Sequence, residues 1–276
     1  MSGRVDRLDA DQIRAGLPQD VCARLRSLEV HESLDSTSDR LLTVEDLPPG
    51  RFDACLAEFQ STGRGRRGRR WVAPFAAGLC LSVGWKFRDA PAALSALSLA
   101  AGVAVLRALA SLGFTGLALK WPNDIVRGDG KLGGILIDLR SEAAGPAYVV
   151  VGVGINVRLP ASAREQLAAE GVDAVDLASL GTPPTRSALA AALIAALCAA
   201  LAEYGVRGFA AIAEEWQAAD ALAGRSVAVL QGGGILEGRA RGVDADGALL
   251  LEIGGKLRRI VSGEVSVRLV SDTLTA

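Results

Sequence analysis

The chain has 276 residues, 50% apolar and 22% charged, and its 30 basic against 31 acidic side chains leave a formal net charge of −1. That is the composition of a globular protein, long enough for one large domain or for a large and a small one. A net charge near zero excludes a global field that would gather nucleic acid or membrane lipid, so any basic effect must be local.

Residues 1–16 are charged and lack the apolar stretch of a secretory signal. Residues 9–27 predict a short helix, interrupted at Leu17-Pro18, and residues 28–30 a strand. Asp35-Ser36-Thr37-Ser38-Asp39 offers N-caps for a helix running to Leu42. The only histidine, His31, precedes Glu32 and reads as an exposed surface residue, which leaves little material for a His-based zinc site or triad. Residues 53–59 (DACLAEF) read as a strand leading into GRGRRGRRW at residues 63–71, and residues 78–85 (GLCLSVGW) as a strongly apolar strand. Residues 92–112 carry apolar side chains at helical spacing and stop at Gly113.

Residues 117–120, 125–126 and 132–139 predict strands, with Arg127-Gly128-Asp129-Gly130 as a hairpin turn between the last two. Residues 148–157 predict a buried strand. After Pro183-Pro184, residues 186–204 predict a second long helix and residues 209–219 a third. The longest unbroken apolar run, residues 188–202, falls short of the roughly 18–20 residues that span a bilayer, so it reads as a packed helix and no membrane association is expected. After Ala223-Gly224 the texture changes to short strands at 226–230, 236–243, 248–253, 257–261 and 265–269, with glycine-rich turns between some of them. This pattern predicts a small barrel appended to an α/β domain. Of the four cysteines, Cys55, Cys80 and Cys198 sit among apolar neighbours and Cys22 stands apart; with no C-x-x-C pair they read as reduced thiols of a cytoplasmic protein.

GRGRRGRRW spells G-x-G-x-x-G, the dinucleotide fingerprint, which must open a helix after a strand. Here Pro74 follows closely, and Pro blocks a helix interior and disfavours a helical Ala73. A second match, Gly128-Asp129-Gly130-Lys131-Leu132-Gly133, runs into a predicted strand, and no G-x-x-x-x-G-K-[ST] exists. NAD binding is therefore rejected. What remains is a loop whose glycines permit close backbone approach and whose arginines offer bidentate donors to an anion. The bland reading is a solvated basic loop; regular glycine spacing and Trp71 favour an ordered anion lid.

Three further stretches join it: Lys120-Trp121-Pro122-Asn123-Asp124 (KWPND), GKLGGIL at residues 130–136 and VGVGIN at residues 151–156. In order and spacing the four resemble a bacterial biotin–protein ligase, from about Leu8 to Leu269. The resemblance implies a class II aminoacyl-tRNA-synthetase-like mixed-sheet catalytic domain, residues 1–222, and a small SH3-like C-terminal β-barrel, residues 223–276. It implies a C–N bond-forming ligase that joins biotin to ATP as biotinyl-5′-adenylate, releases pyrophosphate, and passes biotin to one lysine of a biotin carboxyl carrier protein such as that of acetyl-CoA carboxylase.

Carboxylate and α-phosphate are both anions, so a buried cation between them is required. Lys120, at a strand's end, is that candidate; an ordinary exposed lysine is the bland reading. Asp124 either orients Lys120, binds Mg²⁺ brought with ATP, or caps a turn. By resemblance, Ser36, Thr37 and Gln60 contact biotin, with Gly63, the backbone of Arg64 and the Gly133-Gly134 region, while Trp71, Leu132 and Ile135 form apolar walls. Ser36 and Thr37 also suit plain helix caps, and Trp71 also suits the core. Ser38 stands where the family commonly has Asn. Arg64, Arg66 and Arg67 face the phosphate, with Arg66 carried as catalytic. Asn123, Asn156 and Arg268 complete the ATP site, and Arg268 also suits an exposed strand. Residues 158–177 should cover adenine, yet lack the aromatic some relatives use.

Some relatives carry an N-terminal winged helix-turn-helix, which needs roughly sixty or more residues. The match begins near Leu8, so the ligase-only form is expected and DNA binding is not; a homodimer is compatible. Two rivals stay open: a lipoate- or octanoate-transferring relative, and a nucleic-acid-binding module using the arginine loop.

Overall fold

Large apolar residues alternate with small or polar ones along the central strands, and this period-two pattern gives the main sheet two unlike faces. A computed structural model describes residues 5–89, 94–140, 147–231, 234–261 and 266–269, with the side chains of 231 and 266–269 outside it. Seven strands, β1 (Leu25–Leu34), β2 (Phe52–Gln60), β3 (Gly78–Lys86), β4 (Ala118–Lys120), β5 (Asp124–Arg127), β6 (Gly130–Arg140) and β7 (Tyr148–Asn156), lie in the order β1-β2-β3-β7-β6-β5-β4. Only the β1–β2 pair is parallel.

Leu79, Leu81, Val83 and Trp85 of β3 and Val149, Val151, Val153 and Ile155 of β7 join the main core. That core lies against α4 (Leu97–Ser111) and α7 (Arg186–Arg207), which pack on each other and on the sheet. The other face carries Cys55, Tyr148 and Val150, with Leu41 of α3 (Thr37–Leu42), in a second, smaller cluster. Further along that face the alternate positions shrink to Cys80, Ser82, Gly152 and Gly154, leaving a hollow rather than a core.

The helix predicted over 9–27 is two six-residue helices, α1 (Ala10–Ala15) and α2 (Gln19–Arg24), after which β1 begins at once. Residues 25–34 show weak alternation, and pairing with β2, not local pattern, makes them a strand. The predicted helix over 92–112 begins as a 3₁₀ turn, Leu94–Ala96, before α4; residues 92 and 93 lie outside the described residues. α7 outruns its apolar stretch and stops at Gly208, φ +60°. Its length and that of residues 94–111 would suffice to cross a bilayer, contrary to the argument from run length. Leu189, Leu193, Ile194 and Leu197 are instead fully buried in the core.

Two helices went unpredicted, α5 (Ala161–Ala169) and α6 (Leu177–Leu180); Pro160 opens the first, and Asp176 with Ser179 forms a capping box for the second. The third predicted helix divides into a 3₁₀ turn, Gly208–Ala211, and α8 (Ala213–Ala219). The predicted C-terminal strands are β8 (Ser226–Gln231), β9 (Gly234–Val243), β10 (Leu249–Ile253), β11 (Lys256–Ile260) and β12 (Ser266–Leu269), in one antiparallel sheet ordered β11-β10-β9-β8-β12. The class II synthetase-like mixed sheet with a small SH3-like domain after it is the architecture expected from the sequence.

Beneath the hollow, Arg186 of α7 is buried and pairs with Glu58, also buried. Its guanidinium also donates to the carbonyl of Gly78 at 3.2 Å and of Asp6, while Glu58 accepts from the Leu8 N–H at 2.7 Å. Removing one partner of such a pair leaves an uncompensated charge. Arg186→Ala should lower stability in urea unfolding by about 3–5 kcal/mol. Arg186→Met with Glu58→Leu should cost far less, and equal losses would mean the charges are not the cause.

Candidate active site

The hollow is a cavity of about 870 Å³. β3 and β7 form its floor, and the two glycines of VGVGIN are required there. A Cβ on Gly152 would lie 2.8 Å from Ser38 Oγ, and one on Gly154 would lie 2.3 Å from the Trp71 ring. Trp71 therefore rests directly on the β7 backbone, and the expected biotin wall lines the cavity. Burial pushes the Cys80 thiol up to about 12, so it is neutral lining.

One end of the cavity is hydroxyl-rich. Gln60 Oε1 accepts from the Thr37 N–H at 2.7 Å and from Thr37 Oγ1 at 3.0 Å. Ser82 Oγ lies 2.8 Å from Thr37 Oγ1 and 3.0 Å from Ser38 Oγ. Ser36 caps α3, accepting from the Asp39 N–H at 3.2 Å, so the capping reading holds for a residue that also lines the cavity. Ser82 was missed; a small polar residue inside the apolar run GLCLSVGW was its signal.

GRGRRGRRW is a tight hairpin and opens no helix. Trp71 N–H donates to Gly63 O at 2.8 Å, Gly65 N–H to Arg69 O at 2.7 Å, and Arg64 bridges Arg70. The tip is a 3₁₀ turn, Arg66–Gly68, with Arg67 and Gly68 at positive φ. Arg64 Nη2 lies 2.6 Å from Asp39 Oδ1 and 2.9 Å from Asp138 Oδ2, so this guanidinium fastens the hairpin to α3 and β6. Arg66 and Arg67 line the cavity. Burial holds the Arg66 pKa below its ordinary value, Arg67 adds to that, and Asp124 opposes it.

The other end is cationic. Lys120 closes β4 and is half-buried; burial lowers its pKa, opposed by Asp124 and Asp129. Trp121 is buried, Asn123 Nδ2 donates to Ile135 O at 2.8 Å, and the Trp121–Pro122 bond is cis. Asp124 does not bond to Lys120 as one reading expected: its direct partner is Lys131, 2.6 Å away on β6. Lys131 was overlooked, although it stands inside GKLGGIL.

Asn156 donates to Val175 O at 3.0 Å and Lys131 O at 3.3 Å, tying residues 171–175 to β6. Leu167 and residues 170–174 line the cavity without an aromatic. Ile135 and Gly134 line it too, but Gly63 and Gly133 do not, and Leu132 is fully buried in the core because a bulge against β5, between the pairs Ile125–Gly133 and Val126–Lys131, breaks the alternation there. The side chain of Arg268, on β12, is outside the described residues.

Among the described residues the one cluster of three metal-type ligands is Glu29, His31 and Cys55, outside the cavity lining. Glu29 is already held by Arg40 at 2.7 Å and by His31 at 2.9 Å, so His31 is a half-buried partner, not a free surface residue.

Residues 30–156 match the biotin/lipoate A/B protein ligase family, and residues 223–268 match the biotin protein ligase C-terminal domain. The bifunctional ligase/repressor BirA of Escherichia coli (strain K12) is 39% identical over 243 residues, 88% of this chain and 74% of that protein. The chain belongs to the biotin protein ligases of that family. The biotin–[acetyl-CoA-carboxylase] ligase of Mycobacterium tuberculosis is 39% identical over 218 residues, 76% of this chain and 77% of that one. The structure of the Aquifex aeolicus biotin protein ligase in complex with biotin and ATP superposes with a TM-score of 0.70 at 25% identity, covering 90% of this chain and 99% of that one.

For this ligase, Gly154→Ala forces the Trp71 ring off the floor. We expect a folded protein whose biotin affinity, by calorimetry, falls about tenfold or more. Unchanged affinity would remove Trp71 from the biotin site.

Proposed function

We propose that the cavity binds biotin with its neutral urea at the hydroxyl-rich end and its carboxylate at the cationic end, where ATP meets it. The biotin carboxylate attacks the α-phosphate, the bond to the β-phosphate breaks, and pyrophosphate leaves. A lysine amine of the acceptor then attacks the biotinyl carbonyl carbon, and AMP leaves as the amide forms and the amine gives up its proton. The acceptor we infer is a biotin carboxyl carrier domain of acetyl-CoA carboxylase, in line with the names of the relatives. The reading needs neither DNA nor a second copy of the chain, and it suits a cytoplasmic enzyme.

The observation that supports it most is the polarity of the cavity. Gln60, Thr37 and Ser82 line the α3 side, while Lys120, Lys131 and Arg66 gather around Asp124 on the β4–β6 side. A neutral head and two anions need that division. Lys120 sits between carboxylate and phosphate in this reading. Lys131 and Arg66 take the developing charge, and Arg64 leaves its carboxylates only if the hairpin rearranges. Asn123 holds the turn carrying Lys120, and Asn156 holds the nucleotide wall.

Asp124, Asp129, Asp173 and Glu170 line the cavity without forming a three-ligand cluster. Such a set fits Mg²⁺ that arrives on the ATP phosphates and takes Asp124 as a single protein carboxylate, where it would neutralise phosphate charge. The biotin reading is preferred over lipoate because of the C-terminal domain match. Transfer of labelled biotin but not lipoate to an acceptor domain tests that preference.

Lys120→Ala should abolish biotin-dependent pyrophosphate exchange into ATP, by about 10²-fold or more; retained exchange would overturn the assignment. Lys120 must be protonated to act, and its pKa lies below the ordinary value. Activity should therefore fall with rising pH before an ordinary lysine would deprotonate, in a kcat–pH profile. Arg66→Gly should leave adenylation measurable but let the adenylate escape. Equal retention of radiolabelled adenylate by the variant and the parent would count against a closing hairpin.

A further inference from the structure

Lys120 stands on a three-residue strand at the edge of the sheet, a place where backbone frays unless something covers it. What covers it comes from the chain after α8. The N–H of Ala221 donates to Leu119 O at 2.9 Å, and Leu119 and Asp220 form a parallel bridge along the open edge of β4. On the other side of the lysine, the buried indole Nε1 of Trp121 donates to Gly247 O at 3.0 Å. Residues 119 and 121 are thus both held by the segment that becomes the C-terminal β-domain.

The second grip is rigid. Gly247 ends the turn between β9 and β10, at φ +78°, and a Cβ there would lie 2.6 Å from Ala96 Cβ. Asp244 Oδ1 accepts from the N–H groups of Asp246 and Ala248, and Ser95 Oγ donates to Asp246 O at 2.7 Å. The turn is therefore wedged against the start of α4. Arg225 adds a contact to Asp129 at 3.2 Å, but that pair is exposed and contributes little.

We propose that the C-terminal β-domain, together with residues 220–221 that lead into it, is a two-point clamp that sets the position of Lys120, with Trp121 as the positioning residue and Gly247 as its anchor. The inference rests on the reading of Lys120 as the cation between carboxylate and phosphate. The clamp works through the backbone: with residues 119 and 121 fixed, the lysine Cα is fixed, and only its side chain must order when the anions arrive. A misplacement of about 1 Å is enough to slow such a reaction about a hundredfold.

Trp121→Phe keeps an aromatic ring but removes the N–H together with the five-membered part of the buried indole, so Gly247→Ala, which leaves the indole whole, is its control. The kcat of pyrophosphate exchange should fall about five- to tenfold, with KM for biotin and the calorimetric biotin Kd unchanged. Gly247→Ala should reproduce and exceed that loss. The double variant should be no slower than Gly247→Ala alone, because Gly247→Ala already breaks the hydrogen bond that Trp121→Phe removes. Should Trp121→Phe fail to fold, Gly247→Ala carries the test. The clamp is overturned if a folded Trp121→Phe keeps its parent kcat, or if biotin affinity falls in step with kcat. Lys120→Ala measured alongside separates the two levels. A fully active Lys120→Ala ends the underlying reading, whereas an inactive one beside an unaffected Trp121→Phe ends only the clamp.

Discussion

Everything at this site depends on one sheet having a full face and an empty one. Strands β3 and β7 place valine, leucine, isoleucine and tryptophan at every second position toward α4 and α7, and, where the hollow lies, cysteine, serine and glycine at the positions between. The apolar face supplies the burial that stabilises the domain, at roughly 25 cal/mol per Å² removed from water. The other face is free to be shaped by what is missing from it. Gly152 and Gly154 have no side chain, so Ser38 and Trp71 can lie on the strand itself.

The cavity then acquires its polarity from the elements around that floor. α3, β2 and β3 bring neutral donors and acceptors, already bonded to one another through Thr37, Gln60 and Ser82, so they keep a fixed geometry. β4, β5 and β6 bring charge: Asp124 pairs with Lys131, and its field also reaches Lys120 and, on the hairpin, Arg66. Its negative charge steadies Lys120, Lys131 and Arg66 near one another in a site where like charges would otherwise repel.

The arginine hairpin is held by the same economy of charge. Arg64 reaches Asp39 on α3 and Asp138 on β6, so the hairpin is tied to both banks of the cavity while Arg66 and Arg67 remain at its lining. Its two roots lead from β2 and into β3, and the buried Arg186 contacts Glu58 near one root and Gly78 at the other. In the proposed reaction, a loop that covers a mixed anhydride needs such fixed roots.

The order of apolar strands, the two long helices and the small β-domain were legible in the sequence, because periodicity and glycine-rich turns are local properties. So were the motifs GRGRRGRRW, KWPND, GKLGGIL and VGVGIN, and with them the family. Tertiary structure decided the rest. β1 extends beyond the predicted residues 28–30 because β2 pairs along its whole length, and Leu132 faces the core because a bulge against β5 breaks the alternation of β6 there. Asp124 bonds to Lys131 because β5 and β6 form a hairpin, and Ser82 reaches Thr37 only once α3 lies on the sheet. Spacing along a chain sets which side chains share a face; which faces meet is fixed only when the strands find their order.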